Sequence, residues 1–174
     1  MAKDKIPAAL VDAEVYLNGS NSLAGVAEVE LPVVEMVTVN IEQMGMTAEL
    51  EAPLMGHYKK LDAKIKMDSI DDSMESIDTT KAILVECKGG AQAMDKASQG
   101  PKLYGIDATI KGLIKKMEGP KLKPTGKLET TIEMAVSYYK LTIGNKTIIE
   151  IDVLNNKSTA LGTKNDELRR LMGL

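Results

Sequence analysis

The chain has 174 residues, of which 44% are hydrophobic and 27% are charged, a balance that fits one soluble globular domain over residues 1–174. Its single cysteine, Cys87, excludes an internal disulfide, and one cysteine with one histidine, His57, is too few for a usual four-ligand zinc site. The absence of Trp and Phe removes most of the aromatic platforms on which bases or sugars stack. Composition therefore argues against an enzyme, a bound metal and a cofactor.

Charge is divided unevenly along the chain, although the net formal charge is only −3. Residues 1–56 carry two lysines against nine carboxylates, a net charge of −7, and residues 101–127 carry seven lysines against two carboxylates, a net charge of +5. Two such segments attract each other within one subunit or between copies, unless they simply lie on different solvated faces. Charge alone leaves these arrangements open.

Targeting signals are not found in the sequence. The N-terminus lacks the apolar run of a signal peptide, and no stretch approaches the roughly 18 apolar residues of a membrane-spanning helix. We therefore expect the protein to fold in a cytoplasm, with no membrane anchor.

Alternation of apolar and polar residues, the period of a half-buried strand, dominates the first half of the chain. Strands are predicted at 13–17, at 26–31 before Pro32, at 33–42 and at 60–68. The last of these is the clearest, because an apolar side opposes a densely charged one, with Leu61, Ala63, Ile65 and Met67 against Lys60, Asp62, Lys64, Lys66 and Asp68.

The second half repeats this pattern. Strands are predicted at 104–111, 128–136, 139–143 and 147–153, and the last two flank Gly144-Asn145-Lys146, a strong hairpin signal. At least six strands point to a mainly β protein, an antiparallel sandwich or barrel.

One or two short helices complete the predicted fold. Asp78 is a candidate cap for a helix over 79–88 that stops at Gly89-Gly90, and a strand is the alternative there because Ile83, Leu84 and Val85 form an apolar run. A two-turn helix is predicted after Asn165, with acidic residues in its first turn and arginines in its last.

The segment 43–56 fits no regular element and is predicted to be an extended loop. Gly45, Pro53 and Gly56 break secondary structure, yet five side chains are large and apolar: Met44, Met46, Leu50, Leu54 and Met55. Leaving all five in water would forgo about 8–15 kcal/mol, at ~1.5–3 kcal/mol each. We therefore expect burial, either against the subunit's own core or against a neighbouring copy, where flexible methionines adapt to the surface they meet.

Motifs that carry chemistry are not found. We expect His57 to be structural or on the surface and Cys87 to be a small core residue, and the acidic run 68–78 lacks the central glycine and ligand spacing of an EF-hand. The lysine-rich stretch 111–127 has neither arginine nor interleaved aromatic residues, so it predicts at most weak, sequence-blind contact with phosphates. A carboxylate-dependent hydrolase using Asp71, Asp72 or Glu75 is the enzymatic alternative.

Both ends of the chain resemble a known family when they are considered together. The segments are Val15-Tyr-Leu-Asn-Gly19 with Ala24-Gly-Val-Ala-Glu-Val-Glu-Leu-Pro32, then Tyr138–Asp152 with Asn155, and the terminal Leu168-Arg-Arg-Leu-Met-Gly-Leu174. Their order and spacing resemble the major tail tube proteins of contractile-tailed bacteriophages and the related tubes of R-type bacteriocins. The Gln43-Met-Gly-Met46 loop lies where those proteins carry a Gly/Met loop.

This resemblance implies a β-sandwich-like tail tube fold and a non-enzymatic virion structural protein. Its subunits would form hexameric rings stacked into a hollow tube for the passage of DNA or ions. The implied partners are further copies of the chain, a surrounding contractile sheath, and baseplate and tail terminator proteins, with DNA only in transit. The product would be made in the bacterial cytoplasm and assembled into a phage tail or bacteriocin particle.

Two sets of residues follow as candidates for contacts in such a tube. We predict an interface between subunits at Met44, Met46, Leu50, Leu54 and Met55, and a lumen lined by polar strand faces, at Lys64, Lys66, Glu129, Thr131 and Glu133. A lumen of mixed or acidic charge would let DNA pass, because phosphate affinity grows with each cation engaged. The alternative from another class is a small non-enzymatic β-sandwich binding module.

Overall fold

The computed structural model describes residues 5–18, 26–42, 47–68, 77–120, 122–126, 128–160 and 163–173. In these ranges the chain is almost entirely strand, with one short helix near its end. The elements are β1 (Lys5–Leu17), β2 (Val26–Glu30), β3 (Met36–Ile41), β4 (Leu50–Tyr58), β5 (Asp62–Met67), β6 (Ile83–Asp95), β7 (Pro101–Met117), β8 (Thr130–Ile143), β9 (Lys146–Asp152), β10 (Lys157–Ala160), β11 (Thr163–Lys164) and α1 (Asp166–Leu171).

Nine strands form one antiparallel sheet in the order β1-β6-β7-β8-β9-β10-β11, to which β5 and β2 are added. Strand β8 pairs with three other strands. One edge of β8 pairs with β7. The other edge pairs with β5 at residues 130–135 and with β9 at residues 138–143. Beyond this edge of β8 the sheet therefore divides into two parts, one formed by β5 and β2 and the other by β9, β10 and β11. In the part of the chain that the structure describes, the remaining strands, β3 and β4, pair only with each other.

The core lies on the inner side of this sheet. Alternate residues of β5 and β8 are buried, and the sheet curves so that strands far apart in its order contribute to one apolar cluster. The buried members are Leu17, Leu61, Ala63, Ile65, Met67, Ile83, Val85, Ile110, Ile132, Met134, Val136, Tyr139 and Ile151. The mainly β, antiparallel fold predicted from alternation is confirmed, including the apolar side of the strand at 60–68.

The helix considered at 79–88 is wrong, and the strand alternative is correct. Residues from Ile83 onward form β6 between β1 and β7, where Val85 is completely buried. Asp78 serves a turn instead of a helix cap, because its Oδ1 accepts hydrogen bonds from the side-chain hydroxyl of Thr80 and, at 2.9 Å, from the backbone N–H of Thr80. The hydroxyl first, and then the N–H, lower the pKa of Asp78 to about 2. The predicted stop at Gly89-Gly90 lies inside the strand.

Two further boundaries differ from the predictions. Residues 128–136 and 139–143 were expected as separate strands, but β8 runs continuously through them because β7 pairs with it on both sides of a bulge at Gly112. The segment 43–56 was expected as a loop, but its part from Leu50 onward is strand β4. Pro53 is tolerated there because β4 has a partner on one edge only.

The C-terminal helix is confirmed, but Asn165 does not cap it. The buried side chain of Asn165 accepts the N–H of Ser158 at 2.9 Å and donates to the carbonyl of Asn156 at 3.0 Å. It therefore ties the start of α1 to β10 and its preceding turn. Arg169 adds a hydrogen bond from Nη1 to the carbonyl of Asn155 at 3.2 Å.

Candidate functional site

The β3–β4 hairpin is amphipathic. Its register places Val39 opposite Ala52 and Ile41 opposite Leu50, and residues directly opposite in an antiparallel pair share a face. The apolar face of the hairpin therefore consists of Val39, Ile41, Leu50 and Ala52. The β-branched Val39 and Ile41 favour the extended backbone that builds it.

The opposite face of the hairpin is polar. Thr38 Oγ1 donates to Glu51 Oε1 at 2.8 Å across the two strands, and Asn40 lies opposite Glu51. Near the base, Lys59 Nζ lies 2.6 Å from Glu35 Oε1, and this hydrogen bond raises the pKa of Lys59. The hairpin thus has one face suited to water and one that is not.

The apolar face of the hairpin has no cover within the described residues. Strands β3 and β4 make extensive contact only with each other, and Leu50 is 53% exposed. Helix α1 lies against the base of β4, next to Gly56. A two-stranded hairpin that is exposed beyond its base is marginal in water. Of the five predicted interface residues, Leu50, Leu54 and Met55 are exposed on this arm, while Met44 and Met46 lie outside the described residues.

Four of the five predicted lumen residues lie together on the outer side of the β5–β8 pair. Lys64 is opposite Glu133, and Lys66 is opposite Thr131, with 3.6 Å between Lys64 Nζ and Glu133 Oε1. Glu129 is exposed just before β8 begins. The structure therefore brings Lys64, Lys66, Thr131 and Glu133 onto one surface.

Neighbouring strands extend this surface into a lattice of ion pairs. Lys66 Nζ lies 2.9 Å from Glu28 Oε2 and 2.6 Å from Glu30 Oε1, both on β2. On the other side, Lys115 Nζ of β7 lies 2.9 Å from Asp62 Oδ1. We call this surface the charged face, and its members are Glu28, Glu30, Asp62, Lys64, Lys66, Lys115, Thr131 and Glu133.

Electrostatics within the charged face keep its groups ionised. The hydrogen bonds that Lys66 donates to Glu30 and Glu28 raise the pKa of Lys66, and the one to Glu30 lowers the pKa of Glu30. Hydrogen bonds from Lys115 and Lys60 likewise lower the pKa of Asp62. These pairs are solvent-exposed, so each contributes little to stability.

Sequence reasoning missed Glu28, Glu30, Asp62 and Lys115 as members of this surface. The signal was present, since Glu28 and Glu30 stand on the polar side of an alternating strand. The sequence pattern did not reveal that β2 pairs with β5. This pairing places Glu28 opposite Lys66 and Glu30 opposite Lys64.

The acidic segment 1–56 and the basic segment 101–127 can be compared with the ion pairs that the structure shows. Among the described residues, the lysines of 101–127 that form ion pairs are Lys115 and Lys116, whose partners all lie outside residues 1–56. The acidic and basic segments are therefore not matched to each other in the described part of one subunit. Their attraction between copies stays a prediction.

The other candidates that the structure describes, His57 and Cys87, are not brought together into a site. His57 is exposed, and Cys87 is half-buried, with a thiol whose pKa burial raises to about 11. Asp71, Asp72 and Glu75 lie outside the described residues. In the described ranges no group of three or more His, Cys, Asp or Glu side chains is placed to hold a metal ion.

Comparison with known families identifies the chain. The family model for phage tail tube protein FII matches residues 7–173. The chain belongs to the phage tail tube protein FII family. It is therefore a structural subunit of a phage tail tube, a virion component that assembles with copies of itself and with other tail proteins.

Two further findings concern this family member. A search of curated proteins finds no match. No helix in the part of the chain that the structure describes is long and apolar enough to cross a membrane.

Proposed function

We propose that this subunit builds the inner tube of a contractile injection system, as hexameric rings stacked around a lumen. One observation carries the proposal: the β3–β4 hairpin presents an apolar face on which Val39, Ile41 and Leu50 are 45%, 37% and 53% exposed. In a tail tube the available cover is a second copy of the chain. The contact is then heterologous, because the hairpin of one copy meets a different surface on the next, and such contacts generate open stacks.

The interface is proposed to include Leu50, Leu54 and Met55, together with Met44 and Met46. Each is a large apolar side chain on one arm, and methionine adapts to an irregular partner surface. The charged face, with Glu129 beside it, is proposed to line the lumen. Its ammonium groups are already engaged by carboxylates, which leaves few cations free to hold the phosphates of passing DNA.

The further partners follow from this role. A contractile sheath would surround the tube, with baseplate and tail terminator proteins at its ends, and the cargo would be DNA in a phage or ions in an R-type bacteriocin. The subunit would be made in the bacterial cytoplasm and act without turnover, as a conduit.

Electron microscopy of purified variants tests the interface. Leu50→Lys places a charge on the apolar face of the hairpin, whereas Asn40→Lys adds the same charge to the polar face, opposite Glu51. We expect Leu50→Lys to raise the concentration needed for tubes by at least about tenfold, because losing burial of one leucine costs ~1.5–3 kcal/mol. The matched Asn40→Lys variant should assemble like the unmodified chain.

Two outcomes would contradict the proposal. If Leu50→Lys assembles like Asn40→Lys, the hairpin is not the interface. If the unmodified chain gives only small monodisperse particles, the alternative of a small β-sandwich binding module is favoured instead of a tube.

A further inference from the structure

An open cleft of about 640 Å³ lies beside the point at which the hairpin joins the main sheet. Its walls are the segment 56–62, which leads from β4 into β5, and parts of β7, β8 and β9. Apolar side chains dominate its lining: Leu61, Leu113, Val136, Ile151, Val153 and Leu154. Leu154, in the β9–β10 turn, is 82% exposed, so apolar surface continues from the cleft onto its rim.

We propose that this cleft receives the apolar face of the hairpin of a second copy, so that every copy is both donor and acceptor. This inference rests on the proposed function, because a tube built through the hairpin requires a surface on the next copy that receives it. Two uncovered apolar surfaces on one self-assembling chain cover each other in this arrangement. A small ligand would fill the cleft and leave the hairpin exposed.

Charge favours this pairing. The hairpin segment 36–58 contains Glu42, Glu49 and Glu51 and no lysine or arginine. Lysines outnumber carboxylates around the cleft, with Lys59, Lys60 and Lys157 against Asp62 and Asp152. Lys157 stands opposite Asp152 in the β9–β10 pairing and helps to lower the pKa of that carboxyl, after its hydrogen bonds with Asn155, so the excess of positive charge on this wall is one unit.

A second apolar cleft is a poorer acceptor. It measures about 300 Å³ and lies between β2 and the β1–β6–β7 strands, where Leu10 forms part of its lining. The single charged residue of that lining is Glu28, which would repel an acidic hairpin. Size and charge both favour the larger cleft.

Strand β4 runs from the wall of the cleft at Tyr58 out to Leu50 near the hairpin tip. Leu50 stands eight residues before Tyr58, and at about 3.3 Å per residue the strand carries the tip up to about 26 Å from the cleft wall. The donor and acceptor surfaces are therefore separated along the molecule. This is the arrangement that propagates a head-to-tail stack.

Disulfide trapping in assembled tubes tests the proposal. Leu50→Cys and Leu154→Cys are combined in a chain that also carries Cys87→Ala, and tubes seen by electron microscopy are mildly oxidised. A disulfide needs Cα atoms within about 7 Å. A bond within one subunit would give only monomer on a non-reducing gel, whereas a bond between copies links chains. Because each copy donates once and accepts once, we expect a ladder of dimers, trimers and larger species on a non-reducing gel, whereas either single cysteine should give monomer.

Control pairs separate the possible results. Leu50→Cys with Leu10→Cys probes the smaller cleft, and Ile41→Cys with Val153→Cys repeats the main test at adjacent positions. A ladder from the Leu10 pair alone, dimers from Leu50→Cys alone, or tubes with no ladder from either main pair would overturn the acceptor assignment and leave the tube proposal standing. If the unmodified chain forms no tubes, the proposed function fails and this inference fails with it.

Discussion

Gly112 is required by a close backbone approach. It lies at a bulge in the β7–β8 pairing, where a Cβ atom built on it would come within 2.2 Å of the carbonyl oxygen of Ala135. The obstacle is backbone at the centre of the sheet, which has no room to move. Side-chain chemistry has no part in this requirement.

Gly112→Ala should therefore destabilise the fold by about 1–3 kcal/mol, the usual cost of overpacking. The matched control is Gly105→Ala in the same strand, where nothing lies within 4 Å of the added Cβ. That change should be neutral or stabilising by about 0.4–1 kcal/mol, because it reduces the entropy of the unfolded chain. Chemical denaturation measures both, and equal midpoints for the two variants would contradict the assignment.

The charged face is an element-scale structure, built where β2, β5, β7 and β8 lie side by side. Its lysines and carboxylates stand at alternate positions of each strand, so the pairs form across strands. Such pairs contribute little singly, but they fix which charges this surface offers to whatever passes along it.

The contribution of the charged face to the stability of the folded protein should fall in acid. The pKa values of Glu30 and Asp62 are lowered in the folded state, so their contribution is complete above the unfolded values of about 4 and is lost as pH falls through the lower folded values. A Glu30→Gln/Asp62→Asn variant should melt below the unmodified chain at pH 7, and the difference should shrink as pH falls below about 4. Thermal melting across this range checks it, and a pH-independent difference would refute it.

The control for this series is Glu49→Gln. Its carboxylate is exposed on the hairpin and makes no ion pair with a described residue, so its melting temperature should follow that of the unmodified chain at every pH.

Strands and helices were predicted correctly where the residues that determine them lie within one segment of the sequence. The strand at 60–68 was predicted correctly because Leu61, Ala63, Ile65 and Met67 alternate within one segment. At 79–88 the local signals of a cap and a glycine stop favoured a helix, yet Val85 is buried between two strands that are distant in sequence. Pairing and burial outweighed local propensity there.

For the whole molecule, the proposed lumen makes a prediction about DNA. Glu28→Gln/Glu30→Gln removes both carboxylate partners of Lys66, so each subunit of a tube would present one uncompensated ammonium group. We expect these tubes to retain more short duplex DNA at about 50 mM salt than unmodified tubes, and the excess should disappear by about 200 mM as counterions compete. Co-sedimentation of DNA with tubes measures this.

The matched control removes a carboxylate elsewhere. Glu35→Gln frees Lys59 at the base of the hairpin, away from the charged face, and should leave DNA retention unchanged. Equal retention by the two variants would mean that the position of Lys66 does not govern binding, and the lumen assignment would lose its support.

By itself, the sequence determined the mainly β class, most strand positions, the C-terminal helix and the family, because alternation, turn residues and motif order are properties of short segments. Tertiary structure alone decided that β8 is continuous, that residues from Leu50 onward form a strand, and that Lys66 pairs with Glu28 and Glu30. The physical reason is that hydrogen bonds between strands and burial join residues distant in the chain. The two surfaces proposed for assembly, the hairpin and the cleft beside it, exist only after those pairings have formed.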